Sequence, residues 1–168
     1  LKLMNRGYST KYYFELLQYI KAAMPEAAVT TDLIVGFPGE TEADFVEGLN
    51  FIAKCRFDVA YTFLYSKRSG TPAANLPDQV EEAIKKQRLQ RLMDRQNPIS
   101  LQINKSLIGK NLKVLVEGVS KTSSATLTGR TDTNKVVIFP GRENLTGSIV
   151  DLEIVEAKTW HLNGKLLL

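Results

Sequence analysis

Apolar and polar positions along the first hundred residues switch between two periods. Tyr13, Leu16, Leu17, Ile20, Ala23 and Met24 follow the i, i+3, i+4, i+7 rule of an amphipathic helix, with Ser9 or Thr10 placed to cap it and Pro25 to end it. Ala28 to Val35 is short and rich in β-branched residues, and Gly36-Phe37-Pro38-Gly39 stops it; this reads as a buried strand and a tight turn. Thr41 with Asp44 three residues on resembles a capping box, and Phe45, Leu49 and Ile52 give the following helix its apolar stripe. Phe57 to Tyr65 predicts a second strand. Two β-then-α units joined by helix-length crossovers imply a parallel sheet with helices outside it. After the turn at Ser69-Gly70-Thr71-Pro72, Asp78 and Glu81 form a second capping pair for a long helix reaching about residue 104, which Pro98 should kink.

From Leu107 onward the period becomes two. Leu112, Val114 and Val116 alternate with Lys113 and Glu117, while Val150, Leu152 and Ile154 alternate with Asp151 and Glu153. Leu127 to Thr131 and Lys135 to Phe139 flank the turn residues Asp132-Thr133-Asn134, and Trp160-His161-Leu162 precedes an Asn163-Gly164 hairpin signal. Four to six short strands in about 60 residues predict a small all-β, OB-like barrel. The fold class is therefore α/β followed by all-β, with domains at 1–104 and 105–168.

Composition narrows the chemistry. A hydrophobic fraction of 43%, a charged fraction of 24% and a mean hydropathy of −0.14 describe an ordinary globular chain of 168 residues. No run approaches the ~18 apolar residues of a spanning helix, and the N-terminus shows no export pattern, so a cytoplasmic setting without membrane attachment is expected. One cysteine, Cys55, excludes an internal disulfide and any CxxC metal or redox site; it reads as a small buried hydrophobe. No metal ligands are expected in the chain. His161 is equally alone. The formal charge is +4, of which residues 101–168 carry +3, so the β domain is the better polyanion contact.

Several side chains have both a plain and a functional reading. Asp32 interrupts an apolar strand, where a carboxylate needs a partner or an exposed strand end; at such an end an acid can accept both hydroxyls of a ribose. The Gly36 to Thr41 turn combines backbone freedom with a helix N-terminus, but lacks the lysine and glycine spacing of a nucleotide-triphosphate loop. Arg6 suits bidentate pairing with a carboxylate, or simple solvation. Arg88, Arg91 and Arg95 lie on one flank of the long helix and read as solvated. Lys67 and Arg68 in the turn after the second strand, with Arg130, Lys135 and Arg142 in the β domain, are candidates to meet phosphates. Phe139 and Trp160 read as barrel core, with base stacking by Phe139, Trp160 or His161 the alternative.

Four strings carry a more specific signal. Leu3-Met4-Asn5-Arg6-Gly7-Tyr8, Thr31 to Thr41, Tyr65 to Ala73, and Leu127 to Thr131 with Asn134-Lys135-Val136-Val137 together resemble the radical-SAM tRNA methylthiotransferases. By that resemblance residues 1 to about 104 are the last part of a partial (βα) radical-SAM barrel, and 105–168 are a TRAM domain, a small RNA-binding β-barrel. The resemblance implies S-adenosylmethionine as cofactor, with Arg6 toward the methionine carboxylate, Asp32 toward the ribose hydroxyls, and Ile34, Gly36, Phe63 and Tyr65 around the adenine. It implies tRNA as partner, met by Arg68, Arg130 and Lys135. The family's [4Fe-4S] clusters need cysteines this chain lacks, so their ligands, and a missing N-terminal part, are expected outside it, together with an electron donor. No catalytic residue is expected within the chain, which is not expected to turn over alone. The Asn134 to Val137 string, and Arg68 within the Ser66 to Pro72 turn, favour members acting on N6-isopentenyladenosine at tRNA position 37. Alternatives are members acting on threonylcarbamoyladenosine or on a ribosomal protein, or a stand-alone RNA-binding module.

Overall fold

The computed structural model describes residues 1–121 and 123–167, which divide into two compact units, Leu1–Asn97 and Pro98–Leu168. In the first, α1 (Thr10–Ala23) starts where the Ser9 side chain accepts the Tyr12 N–H at 3.2 Å. Strands β1 (Thr30–Val35) and β2 (Val59–Leu64) pair in parallel, Asp32 opposite Tyr61 and Ile34 opposite Phe63. Between them α2 (Glu42–Cys55) opens with the full capping box, Thr41 Oγ1 accepting from Asp44 N and Asp44 from Thr41 N. At its other end the chain turns through Arg56 at φ +50°, and Lys21 from α1 donates to the Cys55 and Arg56 carbonyls, a cation where the helix dipole favours one. Leu17, Val35, Phe45, Ile52, Cys55, Phe57, Ala60 and Leu92 are buried. Burial pushes the Cys55 thiol up to about 11, against a smaller opposing pull from Lys21.

The long helix α3 (Glu82–Lys105) continues through Pro98, and the boundary between the units falls at that residue. Its start departs from the expected Asp78–Glu81 capping pair. Glu81 O accepts the first helical bond, from Lys85 N, while Asp78 stands outside the helix at φ +56° with its carbonyl taken by the Gly39 N–H. Docking to the Gly39 turn, not capping, determines the conformation at Asp78.

In the second unit, β3 (Asn111–Ser120), β4 (Ser123–Thr131), β5 (Val136–Pro140), β6 (Ile149–Ala157) and β7 (Leu162–Leu166) close into a barrel in the order β3-β4-β5-β7-β6. Neighbours run antiparallel except β5 and β7, which are parallel. Alternation supplies the core, with Val114, Val116, Leu127, Val137, Phe139, Leu152, Ile154 and Leu162 inside. Gly129 lets β3 and β4 approach closely, since a Cβ there would lie 2.5 Å from Leu115 O. Two expectations fail here. Asn163-Gly164 is not a hairpin turn but lies within β7; Gly164 faces inward against Leu152 and Val137, and the reversal between β6 and β7 occurs at residues 158–161. Trp160, expected in the core, is 60% exposed on that reversal, because the interior is already filled by Phe139 and the aliphatic residues.

Candidate functional site

Burial along β1 and β2 alternates, so one sheet face packs on helices and the other stays open. The open face presents Asp32 and Ile34 from β1 and Tyr61 and Phe63 from β2; Phe63 is 49% exposed. Apolar side chains left on one face of a sheet mark a surface meant for something else.

That face continues into an open cleft of about 620 Å³, within the range of small-molecule sites. Its wall includes Arg6, Asp32, Ile34, Phe63, Tyr65 and Arg68. Five of the six residues anticipated around the cofactor therefore meet in one place, although they come from the N-terminal segment, β1, β2 and the loop after β2. Neither the Arg6 guanidinium nor the Asp32 carboxylate has a hydrogen-bonded or ionic partner among the described residues. Tyr65 stacks edge-on against Phe37 with centroids 5.3 Å apart, and its buried hydroxyl has no hydrogen-bond partner, an unmet donor on a cleft-lining residue.

Gly36, the sixth, lies outside the lining. It holds φ +75°, its N–H donates to Glu40 Oε1 at 3.0 Å, and a Cβ would meet Lys85 Cγ at 2.4 Å. Its work is to let the chain turn out of β1 beneath α3. Arg68, by contrast, lines the cleft, beside the region expected for the cofactor.

Sequence reasoning missed how this turn is held. Arg88, expected in a solvated flank, is 5% exposed. It donates to Glu40 Oε1 at 2.8 Å and Glu40 O at 3.0 Å, approaches Glu42 at 3.5 Å, and lies over the Phe45 ring. Arg91 covers the same ring and bonds Glu42 at 2.7 Å, which holds the Glu42 carboxyl below its ordinary range. The signal available was the acidic pair of Glu40 just ahead of α2 and Glu42 at its first position, a match for two arginines about fifty residues away.

In the barrel, Arg130 pairs with Glu117 at 3.1 Å and donates to Asn134 O and Oδ1, while Lys135 Nζ donates to Asn104 Oδ1 at 3.1 Å. Among the described residues, no group of three or more His, Cys, Asp or Glu is placed to hold a metal ion, and no helix is long and apolar enough to cross a membrane.

Comparison with known proteins now bears on both units. Residues 105–167 match the TRAM domain model. Over 167 residues, 99% of the chain, it is 52% identical to the tRNA-2-methylthio-N(6)-dimethylallyladenosine synthases of Thermoanaerobacter sp. (strain X514) and of Moorella thermoacetica, and 54% identical to that of Acetivibrio thermocellus. The chain is similar to these synthases over nearly its whole length. It spans 36%, 38% and 35% of those relatives' lengths and corresponds to their C-terminal part. Methylthiotransferases of this family work generally with S-adenosylmethionine and iron–sulfur clusters. The cleft suits the first of these by the chemistry of its groups: a guanidinium for a carboxylate, a carboxylate for a vicinal diol, and apolar and aromatic side chains for a purine. It offers nothing to the second, since Cys55 is buried and its thiol is held protonated.

Proposed function

We propose that this chain forms part of the S-adenosylmethionine site and the tRNA-holding barrel of a methylthiotransferase that converts N6-isopentenyladenosine at tRNA position 37 to its 2-methylthio derivative. The convergence of Arg6, Asp32, Ile34, Phe63 and Tyr65 on one cleft carries this reading. When bound, the cofactor supplies the radical chemistry by which a methylthio group reaches C2 of adenine.

The residues of this chain bind and orient. Arg6, on the segment before α1, fixes the carboxylate end of the cofactor with paired N–H donors. Asp32, projecting from the open face of β1, accepts the two ribose hydroxyls and so determines which way the nucleoside lies. Ile34 and Phe63, cross-strand neighbours, give the purine an apolar floor, with Tyr65 at its edge. The open face of β1 and β2 is then the inner wall of a larger (βα) barrel, of which residues 1–104 are the last part, and the cluster ligands belong to polypeptide outside this chain. Arg68, Arg130 and Lys135 meet tRNA phosphates. An electron donor and a cytoplasmic setting follow from the same reading.

The test is cofactor affinity in the full-length polypeptide that carries this chain. Asp32→Ala and Arg6→Ala are each expected to weaken S-adenosylmethionine binding by about 10- to 100-fold, the cost of losing a charge-assisted hydrogen bond. Unchanged affinity in either variant removes that residue from the site, and failure of the polypeptide to take up iron on anaerobic reconstitution overturns the enzymatic reading.

A further inference from the structure

The barrel leaves one large aromatic side chain in water. Trp160 stands 60% exposed on the β6–β7 reversal, although the strand it leads into places Leu162 wholly inside. An indole is among the least favourable groups to leave solvated, so a fixed, exposed one invites an occupant. The reversal is well held. Lys158 N donates to His161 O at 2.8 Å, and Asn104, itself buried, donates through Nδ2 to Lys158 O at 2.9 Å and Thr159 O at 3.2 Å.

The same hydrogen bonds tie the reversal that carries the tryptophan to a cation-bearing turn. Because β5 and β7 are parallel, with Val137 opposite Leu162, the β4–β5 turn and the β6–β7 reversal lie at one end of the barrel. Lys135 from the first turn bonds the Asn104 side chain that anchors the second, and Arg130 bonds Asn134 next to it. Lys158 and His161 flank Trp160 in sequence. The acids nearby are engaged: Glu156 by Lys158 and Asn163, Glu117 by Arg130, and Asp132 by the Thr133 N–H.

We propose that Trp160 is a stacking platform for an unpaired nucleobase of the bound tRNA, with Lys135 and Lys158 meeting the phosphates on either side of it. This rests on the reading of the barrel as a tRNA-holding domain and specifies how it grips. An aromatic face between cations matches a base between phosphates, because every base offers a π-face and every linkage a charge. A protein partner calls for apolar neighbours around the ring, and the residues beside this one are Lys158, Thr159 and His161.

Trp160 is the chain's single tryptophan, so its emission reports the contact directly. Titration of the 168-residue chain with tRNA, or with an unpaired RNA loop, is expected to quench that emission saturably, whereas a blunt RNA duplex of equal length leaves it unchanged. Trp160→Ala is expected to weaken tRNA binding roughly 5- to 150-fold, the range of one base–aromatic stack, while leaving the slope of log K against log salt unaltered. Trp160→Phe restores most of the affinity. Lys135→Ala, by contrast, is expected to lower the slope by about 1. Binding without quenching, equal quenching by duplex, or wild-type affinity in Trp160→Ala overturns the proposal and leaves tRNA binding intact. Absence of any tRNA binding by the unaltered chain overturns the underlying reading first.

Discussion

Replacing Arg88 with methionine probes the contact that holds the turn after β1. The guanidinium donates to the Glu40 side chain and carbonyl, and Glu40 Oε1 in turn receives the Gly36 N–H, so a single buried pair fixes the exit of the strand that carries Asp32. Methionine keeps an unbranched apolar stem against Phe45 but strands the Glu40 carboxylate, whose side chain is 16% exposed. Removing one partner of a buried ion pair costs about 3–5 kcal/mol. Glu40 retains the Gly36 donor and some access to water, which puts the expected loss at the lower end, about 3 kcal/mol. Glu40→Gln preserves an oxygen for Gly36 and removes the charge, for an expected loss of about 1–2 kcal/mol. The double variant should lose less than the sum of the two by at least about 1 kcal/mol, because neither charge is then left alone. Urea unfolding of the 168-residue chain, followed by circular dichroism at 222 nm to report α1, α2 and α3, gives all three values. Arg88→Met within about 0.5 kcal/mol of the unaltered chain, or strict additivity in the double variant, would show the pair to be solvated and uncoupled.

Other expectations concern the barrel, the cysteine and the α2 cap. Gly129→Ala must push β3 from β4, since the new methyl meets Leu115 O at 2.5 Å and Val114 Cγ1 at 2.6 Å; a loss of about 2 kcal/mol or more is expected by calorimetry, and a neutral result would refute the close approach. With its thiol at about 11 against an ordinary 9.0, Cys55 should alkylate at pH 8 at least about 100-fold more slowly in the folded chain than in urea, and equal rates would contradict its burial. Asp44 is held below its ordinary value chiefly by hydrogen bonds from the Thr41 side chain and then from its backbone. Its folded-state value is therefore the lower one, so its stabilisation is present above the unfolded carboxylate range and fades as pH falls through the folded value. Thr41→Ala should cost about 1 kcal/mol at pH 7 and measurably less at pH 2–3, as read by urea midpoints at the two pH values.

Local patterns made much of this fold legible. The Ser9 cap, the Thr41–Asp44 box, the parallel pairing of β1 with β2 and the alternating barrel strands all depend on residues a few positions apart or on a simple period. The cleft residues were legible as well, through short strings around Arg6, Asp32 and Tyr65, but not the removal of Gly36 from the lining, which depends on Lys85 of α3 packing over it. Arg88 was misread for the same reason. Helical spacing shows which face a residue shares, and says nothing about what a loop fifty residues away brings to that face.

The order of elements, the two textures of the chain and its resemblance to a known family were readable from sequence, because capping, alternation and motif spacing are written within a few residues of one another. Tertiary structure alone decided which polar groups are buried and which apolar ones are not. Asp32 is open to the cleft because the other face of its strand holds the helices, and Arg88 is enclosed because Glu40 and Phe45 meet it there. Trp160 is left outside because a barrel of this size is already full with Phe139 and its aliphatic neighbours, and available volume is a property of the closed barrel that no stretch of chain carries on its own.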